Sequence, residues 1–147
     1  MENVTLVTVG QDVRGLMAGT SVMTMRGEVW VENLVVGDKI ITRDAGMVQL
    51  EAIKSQDVKI TPILIMAGSL GNTRPDKDMA VAPDTRIHIR DWRAKAIFGA
   101  DQATVPAHRL VDGEFIRTGD AQTMKCYELK LDMPHIIYAD GLEVATL

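Results

Sequence analysis

Cysteine, aromatic residues and positive charge are all scarce in this sequence of 147 residues. A single cysteine cannot form a disulfide framework or a cysteine-rich zinc module. The 16 Lys and Arg residues against 20 Asp and Glu give a net charge of −4, whereas a nucleic-acid-binding protein normally has a basic surface. No apolar run approaches the roughly 20 residues that cross a bilayer as a helix. These absences predict one acidic domain that binds neither nucleic acid nor membrane.

The N-terminus also lacks the features of a secretory signal. Met1 is followed by an acid, Glu2, and no basic segment precedes an apolar one. We therefore expect a cytoplasmic location, although secretion by a signal-independent route would need no such segment.

Short runs rich in Val, Ile and Thr are separated by glycine-containing turns, which is typical of an all-β protein. One segment differs, because residues 91–98 contain good helix formers after an acidic start and are followed by Gly99. We predict one short helix there. The predicted strands are Val4–Val9, Val22–Met25, Glu28–Val31, Lys39–Thr42, Val48–Ile53, Ile63–Met66, Met79–Val81, Arg86–Ile89, Phe115–Arg117, Met124–Leu131 and Ile136–Tyr138.

The two halves of the chain share sequence segments in the same order. Leu34–Ala45 (LVVGDKIITRDA) and Leu110–Ala121 (LVDGEFIRTGDA) are identical at seven of twelve positions. Pro62–Leu70 (PILIMAGSL) and Pro134–Leu142 (PHIIYADGL) form a second, weaker pair. The order predicts a duplicated β unit with halves of roughly 15–75 and 76–147, related by a pseudo-two-fold axis. Chance similarity between common turn sequences is the alternative.

Three segments resemble the Hint (Hedgehog/intein) domain family. They are Gly19–Thr24 (GTSVMT), Val31–Asp44 (VENLVVGDKIITRD) and Tyr127–Val144 (YELKLDMPHIIYADGLEV). The resemblance is greatest to small stand-alone bacterial Hint-domain proteins and covers most of the chain. It implies an all-β Hint fold, in which two β subdomains form a flat horseshoe. We expect an N-terminal extension over residues 1–14 and the Hint-like domain over 15–147.

The resemblance also implies a chemistry that can be checked against the residues. In the family, a Cys or Ser attacks the carbonyl that precedes it, and a Thr-x-x-His motif polarises that peptide. An Asp/His pair assists the next step, and in inteins a terminal His-Asn cyclises and cuts the second junction.

Most of the positions that this chemistry needs carry unreactive residues here. The nucleophile position falls on Gly15, which has no side chain. The Thr and His of the motif fall on Ala82 and Thr85, and the terminal His-Asn falls on Ala145 and Thr146. None of the three asparagines lies in the second half of the chain, so cyclisation of a terminal Asn is excluded.

Two family positions retain reactive types, since Glu128 stands at the Asp position and His135 at the His position. The two side chains could pair across neighbouring strands. The simpler interpretation is that both side chains lie on a strand edge without a catalytic role, because a pair without a nucleophile catalyses nothing by itself.

Other reactive side chains do not form a recognisable site. Cys126 lies in a predicted strand and is expected to be a small core residue. His88 alternates with two isoleucines and is expected on the polar face of a strand, whereas His108 is expected in a loop. The spacing of the three histidines predicts no metal site, and no motif indicates a cofactor.

The candidate for specific recognition is the cluster of Arg90, Trp92 and Arg93. Two arginines beside a tryptophan could form an exposed binding patch for an unknown protein partner. Alternatively, Trp92 anchors the short helix to the sheet while the arginines pair with nearby acids.

Two functions follow. The first is a degenerate Hint domain that does not splice or cleave itself and acts by binding or assembly. The alternative is residual self-processing by a substitute hydroxyl nucleophile, for which Thr20 and Ser21 are the candidates. The missing groups favour the first function and argue against an enzyme.

Overall fold

The computed structural model describes residues 5–6, 14–71 and 73–146. These residues form strands, one α-helix and two 3-10 helices, in a mainly β structure that confirms the predicted fold class. The strands are β1 (Thr5–Leu6), β2 (Leu16–Met17), β3 (Ser21–Thr24), β4 (Gly27–Trp30), β5 (Lys39–Thr42), β6 (Gly46–Gln49), β7 (Ala52–Ile60), β8 (Ile63–Ile65), β9 (Met79–Val81), β10 (Arg86–Ile89), β11 (Ala103–Pro106), β12 (Ile116–Thr118), β13 (Gln122–Lys130), β14 (Ile136–Ala139) and β15 (Leu142–Ala145). Helix α1 is Trp92–Phe98, and the 3-10 helices are Val31–Asn33 and Ala107–Leu110.

The strands form two sheets. One has the order β1-β7-β13-β2-β9-β8-β12, and the other has the order β11-β10-β15-β14-β3-β5-β6, with β4 paired to β3. The longest ladder joins β7 and β13, which run antiparallel over nine residues each. The apolar side chains that face inward from the two sheets form the main core, in which Ile40, Leu50, Ile87, Ile137 and Leu142 are almost completely buried.

Helix α1 forms where it was predicted, and both of its ends have recognisable signals. The Asp91 side chain accepts a hydrogen bond from the backbone N–H of Arg93, which is the usual role of an N-cap. Gly99 ends the helix with a left-handed φ of 73°, a conformation that glycine adopts without a Cβ clash. The seven residues of the helix therefore lie directly between the cap at Asp91 and the cap at Gly99.

The two long repeat segments adopt similar local structures. Each begins at the end of a 3-10 helix and passes through a glycine with positive φ, which is 99° at Gly37 and 83° at Gly113. Each then enters a short strand, β5 or β12. The strand pairings are also reciprocal, since β8 pairs with β12 of the second half and β14 pairs with β5 of the first. These pairings are those that two similar units related by a two-fold axis would make, and the duplication itself stays a prediction.

The predicted N-terminal strand and extension fall largely outside the described residues. Within them, β1 pairs in parallel with β7 at Val58 and Lys59. No helix in the described part of the chain has the length and apolar character needed to span a bilayer.

Candidate functional site

Several of the positions that the family resemblance singles out meet at one small recess. Gly15 at the start of β2, Thr85 before β10, and Ala145 and Thr146 at the end of β15 all line it, together with Tyr127 of β13. The recess has a volume of about 20 Å³, which is room for about one water molecule. Gly15 therefore meets residues 70 or more positions away in the sequence, but in a space too small for a sizeable ligand.

The Thr85 hydroxyl contacts both polar atoms of the Gly15 backbone. Gly15 N–H donates to Thr85 Oγ1 at 3.2 Å, and that hydroxyl donates to Gly15 O at 3.0 Å. Thr85 is held in place by its own N–H, which donates to Ala82 O at 3.1 Å. A hydroxyl can position a peptide in this way, but it does not exchange protons near neutral pH as an imidazole does.

No side chain could fit at position 15 without rearrangement. The Sγ atom of Cys126 lies too close to the point where a Cβ of Gly15 would be, and Tyr127 O is 3.0 Å from that point. Cys126 is 1% exposed and packs with Met17, Val58, Ile60 and Ala82 in a small second core. The Cys126 thiol therefore fills the space that a nucleophile at position 15 would need.

The thiol that fills this space is itself unreactive. Burial, reinforced by the negative charge of Glu128, raises the pKa of Cys126 to about 12. Only the thiolate is a strong nucleophile, so this cysteine is almost wholly in the inert form at neutral pH. The structure agrees with the prediction that Cys126 is a small core residue.

The imidazole of His135 lies between two carboxylates that the sequence analysis did not single out. His135 Nδ1 is 2.7 Å from Asp44 Oδ2, and Nε2 is 2.7 Å from Asp132 Oδ1. Its backbone N–H donates to Thr146 Oγ1 at 3.0 Å, and the Thr146 N–H donates to His135 O at 2.8 Å. His135 thus links Thr146, which follows β15, to the turn that contains Asp44.

The suggested pairing of Glu128 with His135 does not form. Both ring nitrogens of His135 are engaged by aspartates, and Glu128 lies opposite Lys54 in the β7–β13 ladder. The strand-edge interpretation is also wrong for His135, because its side chain is 5% exposed. Asp44 is 91 positions from His135, and no local pattern could have linked the two.

The charges in this cluster stabilise one another. The hydrogen bond to Asp44 raises the pKa of His135; burial opposes this shift and the bond to Asp132 adds to it. Burial raises the pKa of Asp44, but hydrogen bonds from the Ile136 N–H and from His135 outweigh it, so the net shift is downward. An ionised carboxylate only accepts hydrogen bonds, so two aspartates at the two ring nitrogens favour the protonated imidazole, which donates from both.

The candidate substitute nucleophiles lie outside the recess. Thr20 is buried in the turn between β2 and β3, and the N–H of Ser21 donates to Asp140 Oδ1 at 2.9 Å. Lys77 Nζ donates to Gly19 O at 3.0 Å, so an ammonium group faces the carbonyl that precedes Thr20.

The predicted recognition cluster is divided in the structure. Trp92 is 66% exposed, so it does not anchor α1 to the sheet. Arg93 is buried, forms an ion pair with Asp91, and places its guanidinium 4.8 Å from the Trp92 ring centroid. The Arg90 side chain is not part of this arrangement and instead forms an ion pair with Glu143. Trp92 instead lies beside exposed Phe115 in an open groove of about 610 Å³.

The two remaining histidines have structural partners. His88 contacts Thr104 Oγ1 and Gln102 Oε1, each at 2.9 Å, so it ties β10 to the segment around β11. His108 lies on a 3-10 helix and not in a loop, with Nε2 3.7 Å from Asp84 Oδ1. The described residues include no group of three or more His, Cys, Asp or Glu side chains arranged to hold a metal ion.

The comparison with protein families decides the relationship that the fold and the recess suggest. Residues 14–147 match the Hint domain family (Hint_2). The chain belongs to this family. Among curated proteins, none matches the sequence significantly.

Solved structures share the fold of this Hint domain. The bacterial intein-like domain from Clostridium thermocellum is similar with a TM-score of 0.62 and 17% identity, covering 91% of this chain and 98% of that one. The MchDnaB-1 intein has a TM-score of 0.59 and 12% identity, with 88% and 98% of the two chains covered. The Msm DnaB1 intein splicing domain, solved with zinc, has a TM-score of 0.52 and 15% identity, with coverages of 89% and 98%. At these identities the likeness establishes the Hint fold alone.

Proposed function

We propose that this Hint domain does not splice or cleave its own chain and acts by binding or assembly. The observation that carries the proposal is the packing around Gly15, where the Cys126 thiol fills the space of the missing side chain. A covalent step needs an attacking atom, and stabilisation of charge cannot replace one.

Three further features support the proposal. Thr85 occupies the position of the imidazole and satisfies both polar atoms of Gly15. Thr146 stands at the position of the terminal Asn, and its side chain accepts a hydrogen bond from the backbone N–H of His135. His135 is held between Asp44 and Asp132, so both of its nitrogens are already engaged.

The test is a fusion protein that has a foreign folded domain at each end. It is incubated with dithiothreitol and with hydroxylamine, which cleave thioesters and esters. The masses of the products are then measured by intact mass spectrometry. We expect the full-length mass only. Cleavage at a junction that is abolished by His135→Ala would show that the domain is an active, diverged self-processing enzyme.

A partner protein is part of this proposal. The groove beside Trp92 and Phe115 presents two exposed aromatic side chains, a type that is enriched at protein interfaces. A cytoplasmic location and the absence of nucleic-acid binding stay predictions.

Residual self-processing at Thr20 is the second candidate, and one contact favours it. Lys77 Nζ lies 3.0 Å from Gly19 O, where a cation would stabilise negative charge developing on that oxygen. In the reaction, Thr20 Oγ1 would attack the Gly19 carbonyl carbon and the Thr20 nitrogen would leave with a proton, giving an ester that water hydrolyses. A fragment ending at Gly19 that disappears in Thr20→Val but persists in Ser21→Ala would establish this function. A full-length product after prolonged incubation would exclude it.

A further inference from the structure

A buried carboxylate on the eight-stranded sheet is surrounded by three arginines. The side chain of Glu143, on β15, is 1% exposed. Arg74 Nη1 donates to its Oε2 atom at 2.9 Å, and Arg90 Nε donates to the same oxygen at 3.0 Å. Arg43 Nε is 2.8 Å from Oε1 as an ion pair, without the geometry of a hydrogen bond. We call Arg43, Arg74 and Arg90 the arginine cluster.

The fold brings the arginine cluster together from three separate segments. Arg90 follows β10, which pairs with β15, and Arg43 follows β5, which pairs with β14. Arg74 reaches Glu143 from the segment between β8 and β9. Tyr138 is directly opposite Glu143 on β14, and directly opposed residues share a face of the sheet. Strand register therefore places Glu143, and the three arginines reach it from turns and connecting segments that follow or join the strands.

The charges of the arginine cluster are not balanced. Three guanidinium groups share one carboxylate, which leaves an excess of two positive charges at this place in a chain with a net charge of −4. The nearby acid Asp140 does not compensate, because its side chain accepts the Ser21 N–H and faces Lys77 Nζ at 3.7 Å. Like charges held this close repel one another, and a further anion would reduce that repulsion.

The arginine cluster also has N–H groups available for a further ligand. The side chains of Arg43, Arg74 and Arg90 are 30%, 25% and 34% exposed, so solvent reaches each of them. In the described part of the chain, each of these side chains contacts Glu143 and makes no other hydrogen bond or ion pair. A guanidinium has several N–H groups in a planar fork, which suits the oxygens of phosphate.

We propose that Arg43, Arg74 and Arg90 bind a doubly charged oxyanion, namely a phosphate group, and that Glu143 positions them from beneath. A phosphate monoester carries about −1.5 to −2 charges near neutral pH, which matches the excess of the cluster. The group is either free phosphate or a phosphorylated side chain of a partner. Binding at this face does not depend on whether the chain processes itself.

The experiment measures phosphate binding to the whole chain by NMR. Inorganic phosphate is added at constant ionic strength, with chloride as the balancing anion, and the Nε–H resonances of the arginines are followed. We expect saturable shifts at Arg43, Arg74 and Arg90, and an affinity at least about tenfold lower in Arg74→Gln and Arg90→Gln. Arg74→Lys keeps the charge and removes the fork, so it should bind more weakly than the parent and more tightly than Arg74→Gln.

Arg26→Gln is the matched control. Arg26 is an exposed arginine that pairs with a single acid, Asp38, at 3.0 Å, so its loss should not change phosphate binding. Dispersed amide spectra establish that each variant is folded. Shifts that do not saturate, that chloride reproduces, or that Arg26→Gln reduces as much as Arg74→Gln would overturn the proposal.

Two further ligands identify the source of the phosphate group. Tighter binding of O-phosphoserine than of inorganic phosphate supports a phosphorylated partner, and equal binding supports free phosphate. A single-stranded oligonucleotide that displaces phosphate from this face and binds it more tightly than O-phosphoserine does would overturn the proposal in favour of a nucleic-acid surface.

Discussion

The Sγ atom of Cys126 occupies the space that a side chain on Gly15 would need. The two residues are 111 positions apart in sequence, and the pairing of β13 with β2 brings them together. A glycine at position 15 and a buried thiol at position 126 are therefore complementary in shape. The same packing leaves the recess without a nucleophile and makes the Cys126 thiol part of the small second core.

Gly15→Ala should destabilise the domain because its new methyl group overlaps Cys126. We expect a loss of about 1–3 kcal/mol in the free energy of unfolding, which is typical of overpacked cores. Cys126→Ala removes the sulfur, so the double variant should recover part of the loss. The recovery is incomplete because Tyr127 O stays 3.0 Å from the new Cβ. Urea unfolding of the parent, both single variants and the double variant gives the coupling energy.

Additive effects of the two substitutions would contradict this steric relationship. A Gly15→Ala variant as stable as the parent would do so as well, since it would mean that Cys126 moves aside without cost.

His135 should make the stability of the domain depend on pH. The pKa of His135 is raised in the folded state by its hydrogen bond to Asp44, so its contribution is complete below about pH 6.5 and is lost as pH rises through the folded pKa. The pKa of Asp44 is lowered, so its contribution is present above about pH 3.8 and is lost as pH falls through the folded pKa. The cluster therefore stabilises the fold most in the mildly acidic range.

His135→Gln should reduce the loss of stability that the parent shows as pH rises above about 6.5. His88→Gln is the matched control, since the ring nitrogens of His88 face the uncharged side chains of Thr104 and Gln102. Thermal unfolding across this range measures both variants. An unchanged pH profile in His135→Gln would show that Asp44 and Asp132 do not hold the proton.

The sequence was informative wherever structure depends on neighbouring residues. The helix at residues 91–98 has its cap at Asp91 and its stop at Gly99, and both are local signals. The all-β class followed from short Val- and Ile-rich runs between turns, and most observed strands fall close to them, whereas β2, β11 and β15 were not predicted. The contact between Gly15 and Thr85 was not predicted, since the family resemblance only identified the two positions.

The sequence was uninformative wherever a site is made by strand register. The partners of His135 and of Glu143 are up to 100 positions away, because each sheet pairs strands from both halves of the chain. Whether Trp92 anchors the helix or lies on the surface depends on which face α1 presents to the sheet, and a helix of seven residues is too short for its periodicity to decide this. Charge clusters of this kind become visible only in three dimensions.

Gly37 and Gly113 should each be sensitive to substitution for a purely conformational reason. Their φ angles of 99° and 83° are unfavourable for residues with a Cβ, and no atom lies within 4 Å of the position that a Cβ would take. Gly37→Val and Gly113→Val should each lower the free energy of unfolding by about 1 kcal/mol or more. Gly37→Asn should cost less, because asparagine tolerates positive φ better than other residues. Equal losses for Val and Asn at position 37 would mean that space, and not backbone conformation, is limiting.

Asp91 should stabilise α1 mainly as its N-cap. Its Oδ1 atom accepts the Arg93 N–H at 3.1 Å, and its other oxygen forms an ion pair with the Arg93 guanidinium. Asp91→Ala removes both interactions and should cost about 1 kcal/mol or more, whereas Asp91→Asn retains a good cap and loses only the charge. Because Arg93 is buried and its next acid, Asp112, is 3.9 Å away, the Asn variant should still lose a fraction of this stability. Urea unfolding ranks the three proteins, and we expect the order Asp, Asn, Ala. An Asn variant as unstable as the Ala variant would mean that the ion pair with Arg93, and not the cap, holds the start of the helix.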